Sequence, residues 1–203
     1  MSLKKGLKAG INATASDWYY VYKPTIRQRL HEYLDFDESL ISEGPDSEIV
    51  KCSIRDADVL LSTWGALPLD RELLKLCPNL KIILHAAGSV RGFVTNELIE
   101  RSVKVSSAVL QNARPVAEFT LGIILSSLKN VFVHDQQAKR EKKRAWEIDR
   151  AEYHGGYYRT KVGIIGGGTI ARILLELLKN FEMKVLITSQ SFTAEDEKRY
   201  RVR

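Results

Sequence analysis

Residues 160–190, TKVGIIGGGTIARILLELLKNFEMKVLITSQ, read as a single strand–turn–helix–strand unit. KVGII predicts a buried strand, and the GGGTIA that follows supplies Gly166-x-Gly168-x-x-Ala171, the alanine variant of the glycine fingerprint of dinucleotide-binding turns. Gly166 can make the tight turn, Gly168 lets backbone approach a pyrophosphate, and the small Ala171 lets the helix close on the strand. The helix start offers unpaired N–H groups and the positive end of a dipole to phosphate. Ile170, Ile173, Leu174, Leu177 and Leu178 fall at i, i+3, i+4, i+7 and i+8, one apolar face that would cover a sheet, and MKVLITS supplies the second strand. The bland alternative is a βα turn that binds nothing. About twenty residues after the glycines, where a carboxylate would take the adenosine ribose, stands Ser189, followed by Gln190 and Ser191. Without a negative charge there, a 2′-phosphate is not repelled, so the expected cofactor is NAD or NADP.

Upstream, short β-branched runs alternate with helical patterns: LKAGIN, TIRQRLHEYLD, ESLIS, ADVLLSTW, DRELLKLC, LKIILHAAG, NELIERS and VKVSSAV. That order predicts an α/β fold with a parallel sheet and covering helices. ADVLLSTW and KIILHAA are nearly continuous apolar runs, as in strands buried on both faces. Asn112, Arg114 and Pro115 interrupt the pattern, so a long helix is expected to start at Pro115 or Val116, with a domain boundary just before it and domains over 1–110 and 111–203. Val116, Phe119, Ile123, Ile124 and Leu128 lie on one side of that helix, and Leu121 and Leu125 widen the apolar surface, predicting burial on several sides by its own domain or by a second subunit. From Asp135 to Arg150 the helix turns highly charged, and HGGYYR, His154 to Arg159, reads as a loop into the next strand.

The 203 residues, 44% hydrophobic and 28% charged, fit a folded globular protein rather than a disordered one. No secretory signal pattern opens the chain, and the most apolar stretch, VAEFTLGIILSSL at 116–128, is too short and too polar to span a bilayer. Cys52 and Cys77 have neither a CxxC partner nor histidines at ligand spacing, which argues against a disulfide framework or a zinc site and for a reducing cytoplasm. Much of the net charge of +6 sits in KREKKR (139–144) and at the carboxy terminus. The acids interleaved around KREKKR predict an ordinary solvated helix rather than a nucleic-acid face. His31, His134 and His154 read as solvated surface residues, and His85, at the end of an apolar strand, as a hydrogen-bonded core histidine.

With those residues in view, the chain resembles the D-isomer-specific 2-hydroxyacid dehydrogenases, in the branch that includes phosphoglycerate dehydrogenase-like proteins. The resemblance covers roughly residues 57 to 203 through ADVLLSTWGALPLDRELLKLCPNLKIILHAAGSV, NELIERSVKVSSAVLQNARPVAEFTLGIILSSLKN and the fingerprint. It implies a flavodoxin-like substrate domain followed by the first half of a Rossmann nucleotide-binding domain, with dimerisation through the long helix. It implies that AAGS, Ala86 to Ser89, is the loop whose N–H groups meet the substrate carboxylate, with Ala87, Gly88 and Ser89 as substrate contacts and Ala87 also near the nicotinamide. It implies that Thr169 and Ile170 contact the pyrophosphate, and that Ser189 replaces the family's acidic ribose ligand. The expected activity is hydride exchange between NAD or NADP and a small 2-hydroxy or 2-oxo acid. The arginine, acid and histidine that carry it in the family are expected beyond Arg203, and no catalytic residue is assigned in this chain. The alternative is a catalytically silent dinucleotide-binding regulatory scaffold.

Overall fold

The computed structural model describes residues 6–44, 47–142 and 155–202. The chain divides into two compact units, Met1–Val109 and Leu110–Arg203.

In the first unit β1 (Leu7–Asn12), β2 (Leu34–Asp35), β3 (Val59–Ser62), β4 (Ile82–His85) and β5 (Lys104–Ser107) form one parallel sheet in the order β2-β1-β3-β4-β5. That is the flavodoxin-like strand order, reached because each parallel connection needs a crossover. The crossovers carry α1 (Ala15–Val21), α2 (Pro24–Leu30), α3 (Ser47–Ile54), α4 (Arg71–Leu76) and α5 (Asn96–Glu100). Side chains alternate across the sheet, and this splits the core into two. Leu60 and Ile83 join Ile54, Leu69, Leu73 and Leu98 on one face, while Ile11, Val59 and Leu61 join Trp18, Tyr22 and Phe36 on the other. Trp18 is stacked on Tyr22 at 4.1 Å between ring centroids. Local capping sets the helix starts, with the side chains of Thr14, Asp70 and Thr95 accepting from the N–H groups of Asp17, Leu73 and Leu98.

Gly10 decides how closely α3 sits on β1. A Cβ there would lie 2.6 Å from Ile54 Cα and 2.7 Å from the Ser53 carbonyl, and the same approach lets Ile11 N–H donate to Ser53 Oγ at 2.9 Å. The sequence patterns passed over α1 and α3. ASDWYYV carries its buried residues, Ala15 and Trp18, among exposed tyrosines, which blurs the apolar stripe. ESLIS forms no strand; Ser42 makes only an isolated bridge to Thr14.

The second unit begins with α6 (Val109–Leu128), which starts earlier than Pro115 and carries that proline inside. The missing N–H leaves the Gln111 carbonyl without its helical donor, which is tolerable because Gln111 and Pro115 are both exposed and water can take the carbonyl. Its own unit does not bury the helix on several sides. Ala117, Leu121 and Ile124 pack into the unit, whereas Phe119 is 69% exposed and Val116 and Ile123 are exposed beside it. Nor does it run on into the charged segment: Asn130 takes a left-handed conformation, and α7 (Val131–Glu141) follows at a bend of 56°. Lys143 and Arg144 of KREKKR and all of His154 lie outside the described residues.

Beyond them β6 (Lys161–Ile165), α8 (Thr169–Leu178), β7 (Lys184–Thr188) and α9 (Ala194–Tyr200) complete the described chain, with β6 and β7 parallel. The expectation that KVGII is a buried strand is met on one face only. Val162 and Ile164, with Val185 and Ile187, turn toward α8, while the opposite face is exposed and Ile165 is 92% so. A two-stranded sheet covered by helices on one side alternates, where a strand with helices on both sides reads apolar throughout. β3 is buried at every position, and in β4 Ile83 and His85 are fully buried while Ile82 and Leu84 are half-buried against the Trp18 side of the core. Among the described residues no single helix is long and apolar enough to cross a membrane.

Candidate functional site

In the second unit the turn between β6 and α8 brings the fingerprint together. Gly166 has φ +93°, the left-handed region that glycine adopts at no steric cost, and its N–H donates to the Thr188 carbonyl at 2.8 Å, tying the turn to the end of β7. Gly168 is the N-cap of α8 in extended conformation, with no side chain to cap the helix and nothing within 4 Å of where a Cβ would stand. The first helical hydrogen bond runs from Arg172 N–H to the Gly168 carbonyl at 3.0 Å. Among the described residues the N–H groups of Gly167, Gly168, Thr169, Ile170 and Ala171 are therefore left without an acceptor, at the positive end of an amphipathic helix whose Leu174, Leu175 and Leu178 are buried. Thr169 and Ala171 are half-buried and Ile170 is exposed.

Ser189 closes the other side. Its hydroxyl lies 2.8 Å from the position a Gly167 Cβ would take, and it accepts from Ser191 N–H at 3.2 Å with the Ser191 hydroxyl 3.1 Å away. Two features escaped the fingerprint. Gly167, its variable position, is the glycine with no room for a side chain, since a Cβ would also meet Phe192 at 2.6 Å; the run of three glycines was the available signal. Arg172 is the second. Its Nε donates to the Gly167 carbonyl at 3.1 Å, its guanidinium pairs with both oxygens of Asp196, and Nη2 reaches the Ser191 carbonyl at 3.4 Å. It thus clamps the glycine turn to the serine loop. The Arg172 hydrogen bonds, helped by those from Thr193, hold the Asp196 carboxyl down to about 2, and the guanidinium is pushed further above its already high value. The same carboxylate completes a capping box with Thr193 at the start of α9.

In the first unit the carboxyl ends of the strands carry a register row: Asn12 opposite Ser62, Ser62 opposite His85, and His85 opposite Ser107. This is the edge at which open parallel sheets bind ligands. Asn12 exchanges two hydrogen bonds with the backbone of Leu67, at 2.9 and 3.0 Å, fixing the loop after β3. Ala87, Gly88 and Ser89 follow β4 directly. Ala87 is buried and its carbonyl accepts from Ala108 N–H, Gly88 is half-buried, and Ser89 is exposed with its hydroxyl accepting from Arg91 N–H at 3.4 Å. Among the described residues no acceptor takes up the N–H groups of Ala87, Gly88, Ser89 or Val90. Successive free N–H groups of this kind can form a concavity that suits an anion.

His85 is buried as the sequence predicted, its Nδ1 2.9 Å from Ser62 Oγ and its ring 4.7 Å from that of Phe93. His31 stacks on Phe36 and pairs with Glu38 at 3.3 Å, and His134 is half-buried on α7. No cluster of three or more His, Cys, Asp or Glu able to hold a metal occurs among the described residues.

A parallel α/β chain with a glycine turn, open N–H groups at a helix start and a second strand in parallel register belongs to the dinucleotide-binding class. Residues 121–203 match the family described as D-isomer specific 2-hydroxyacid dehydrogenase, NAD binding domain. That stretch is similar to the family's nucleotide-binding domain, and the resemblance read from the sequence is borne out. D-3-phosphoglycerate dehydrogenase of Methanocaldococcus jannaschii is 29% identical over 147 residues, 72% of this chain and 27% of that protein. The crystal structure of the PH0520 protein from Pyrococcus horikoshii superposes with a TM-score of 0.72 at 24% identity, covering 98% of this chain and 57% of that one. D-lactate dehydrogenase from Aquifex aeolicus, solved with NAD and lactic acid, gives 0.68 at 20% identity, covering 95% and 54%. The chain spans between about a quarter and a half of the length of the curated relatives it matches.

Proposed function

We propose that this chain is the substrate-domain and cofactor-turn portion of an NAD(P)-dependent oxidoreductase acting on a small 2-hydroxy or 2-oxo acid. The observation that carries the reading is the row of uncommitted N–H groups at the start of α8, opened by the absence of a side chain at Gly168. The cofactor would supply the hydride or accept it. Its pyrophosphate would be held by the N–H groups of Gly168, Thr169 and Ile170 and its adenosine ribose by Ser189, while Gly166 and Ala171 shape the turn. The N–H groups of Ala87, Gly88 and Ser89 would orient the acid's carboxylate. None of the histidines here is given the proton-transfer role, which that reaction needs from a group in hydrogen-bond reach of the substrate hydroxyl.

The exposed Val116, Phe119 and Ile123 of α6 favour a homodimer through that helix. The free thiols of Cys52 and Cys77 suit a cytoplasmic setting.

The test is a fluorescence titration of the full chain with NADH and NADPH. Binding of at least one, weakened roughly tenfold or more by Gly168→Val with the fold intact, is the expected result. A wild-type chain that binds neither refutes the cofactor reading. Binding without any 2-oxo acid reduction by the protein that contains this chain would favour the regulatory scaffold.

A further inference from the structure

The end of β7 meets the glycine turn with donors rather than acceptors. Ser189 Oγ accepts from Ser191 N–H at 3.2 Å and lies 3.1 Å from Ser191 Oγ. At most one of the two hydroxyl protons is spent between them, so at least one is left to donate outward from a pair of which Ser191 is exposed. No arginine stands beside Ser189 in the sequence, but the fold brings one from α8. Arg172 Nη2 reaches the Ser191 carbonyl at 3.4 Å and its Nε holds the Gly167 carbonyl at 3.1 Å, while the ring centroids of Phe192 and Tyr200 lie 5.0 and 6.0 Å from the guanidinium. A positive charge, 34% exposed, is thus fixed between the glycine turn and the serine loop. The Asp196 carboxylate beside it is committed to the protein. It gives both oxygens to Arg172, and Oδ2 also accepts from the N–H and hydroxyl of Thr193 at 3.1 and 3.2 Å. Glu195 and Glu197, the other acids in the first turn of α9, are exposed, where solvent ions screen them. A ribose 2′-hydroxyl is best met by a carboxylate acceptor, a 2′-phosphate by hydroxyl donors and a cation, and among the described residues this corner offers the second set.

We propose that Arg172, with the hydroxyls of Ser189 and Ser191, selects the 2′-phosphate of NADP over the 2′-hydroxyl of NAD. The proposal rests on the reading of the glycine turn as the pyrophosphate site, which Ser189 adjoins, its Oγ 2.8 Å from where a Gly167 Cβ would stand. The bond from Nη2 to the Ser191 carbonyl is the longest that Arg172 makes among the described residues, and a phosphate oxygen is the stronger acceptor for that N–H. Asp196 limits the preference, since its carboxylate offsets part of the guanidinium's charge at the phosphate.

NADPH and NADH differ only in the 2′-phosphate, so the ratio of their affinities separates it from the shared pyrophosphate contacts. The full chain is titrated with each by fluorescence, and with adenosine 2′,5′-bisphosphate by 31P NMR, as wild type, Ser191→Ala, Arg172→Met and Asp196→Asn. The expected wild-type result is NADPH bound about tenfold more tightly than NADH, the size of one charge-assisted hydrogen bond at a half-exposed site, with the 2′ phosphorus resonance shifted on binding. Ser191→Ala, at an exposed position, should lower the ratio about threefold, and Arg172→Met should bring it to about one. Asp196→Asn, which removes the opposing charge, should raise it. An arginine that only clamps the turn would, when replaced, weaken both dinucleotides alike, so an unchanged ratio in Arg172→Met overturns the proposal. Should that variant not fold, an unchanged ratio in Ser191→Ala does the same. A wild type that binds NADH as tightly as NADPH, or more so, overturns the proposal and leaves the cofactor turn standing. A wild type that binds neither overturns the cofactor turn and the selectivity with it.

Discussion

Gly167→Ala separates a steric requirement from a conformational one at the glycine turn. The added Cβ would stand 2.6 Å from Phe192 Cδ2, 2.8 Å from Ser189 Oγ and 3.1 Å from Ser189 Cβ, whereas ordinary contact begins at 3.4 Å. The loop after β7 must therefore retreat by about 0.8 Å (3.4 less 2.6), and Arg172 resists, because it holds the Gly167 and Ser191 carbonyls while its guanidinium lies 5.0 Å from the Phe192 ring centroid. Overpacking of this kind costs about 1–3 kcal/mol. Gly167 does not have a positive φ, so alanine suffers no backbone strain and gains about 0.4–1 kcal/mol from a less entropic unfolded chain. The net loss of about 1.5 kcal/mol should lower the melting temperature of the second unit by roughly 6–12 °C. Gly168→Ala, which meets nothing within 4 Å, should change stability by less than about 0.5 kcal/mol. Circular dichroism melts of both variants, with Phe192→Leu alone and combined with Gly167→Ala, form a double-mutant cycle in which Phe192→Leu should relieve much of the alanine's cost. Equal stability of Gly167→Ala and Gly168→Ala would refute the reasoning.

The Asp196 carboxyl sits at about 2 in the folded protein against an ordinary 3.8, so the stability it lends is fully present above pH 4 and is lost as pH falls through 2. A 13C carboxyl titration should place it there, and Asp196→Asn should flatten the acid limb of the stability curve; a midpoint near 3.8 would contradict the clamp. Gly10→Ala brings a Cβ against backbone atoms of Ile54 and Ser53 that cannot rotate away, and should cost about 2–3 kcal/mol in urea denaturation, where a change below about 0.5 would show that α3 can retreat freely. Ser189→Asp puts a carboxylate at the end of β7, and the NADPH-to-NADH affinity ratio should drop by about tenfold or more; an unchanged ratio would mean that Ser189 does not face the ribose.

The two units differed in how much of them could be read in advance, and the difference is physical. Strand–helix alternation in the first unit was legible wherever an element buries a continuous stripe, as in VLLS of β3, all of whose side chains are buried. It failed where burial is uneven: α1 buries Trp18 between exposed tyrosines, and α3 owes its position to Gly10 on a different element, a dependence no local pattern records. The helix start at Val109 was missed because proline at the first turn is the common case, and only the exposure of Gln111 makes an interior proline tolerable. At the candidate sites the fingerprint identified the residues that leave space, Gly166 and Gly168, since those requirements are local. Gly167, Arg172 and Asp196 answer to the loop after β7, which is fixed only once that strand pairs with β6. The same holds in the first unit, where the partner that gives His85 its meaning, Ser62, lies on the neighbouring strand and is brought to it by register. What is legible from one stretch of chain is therefore the room a ligand needs, and what is not is the set of side chains holding that room open, since each is recruited by pairing between strands distant in sequence.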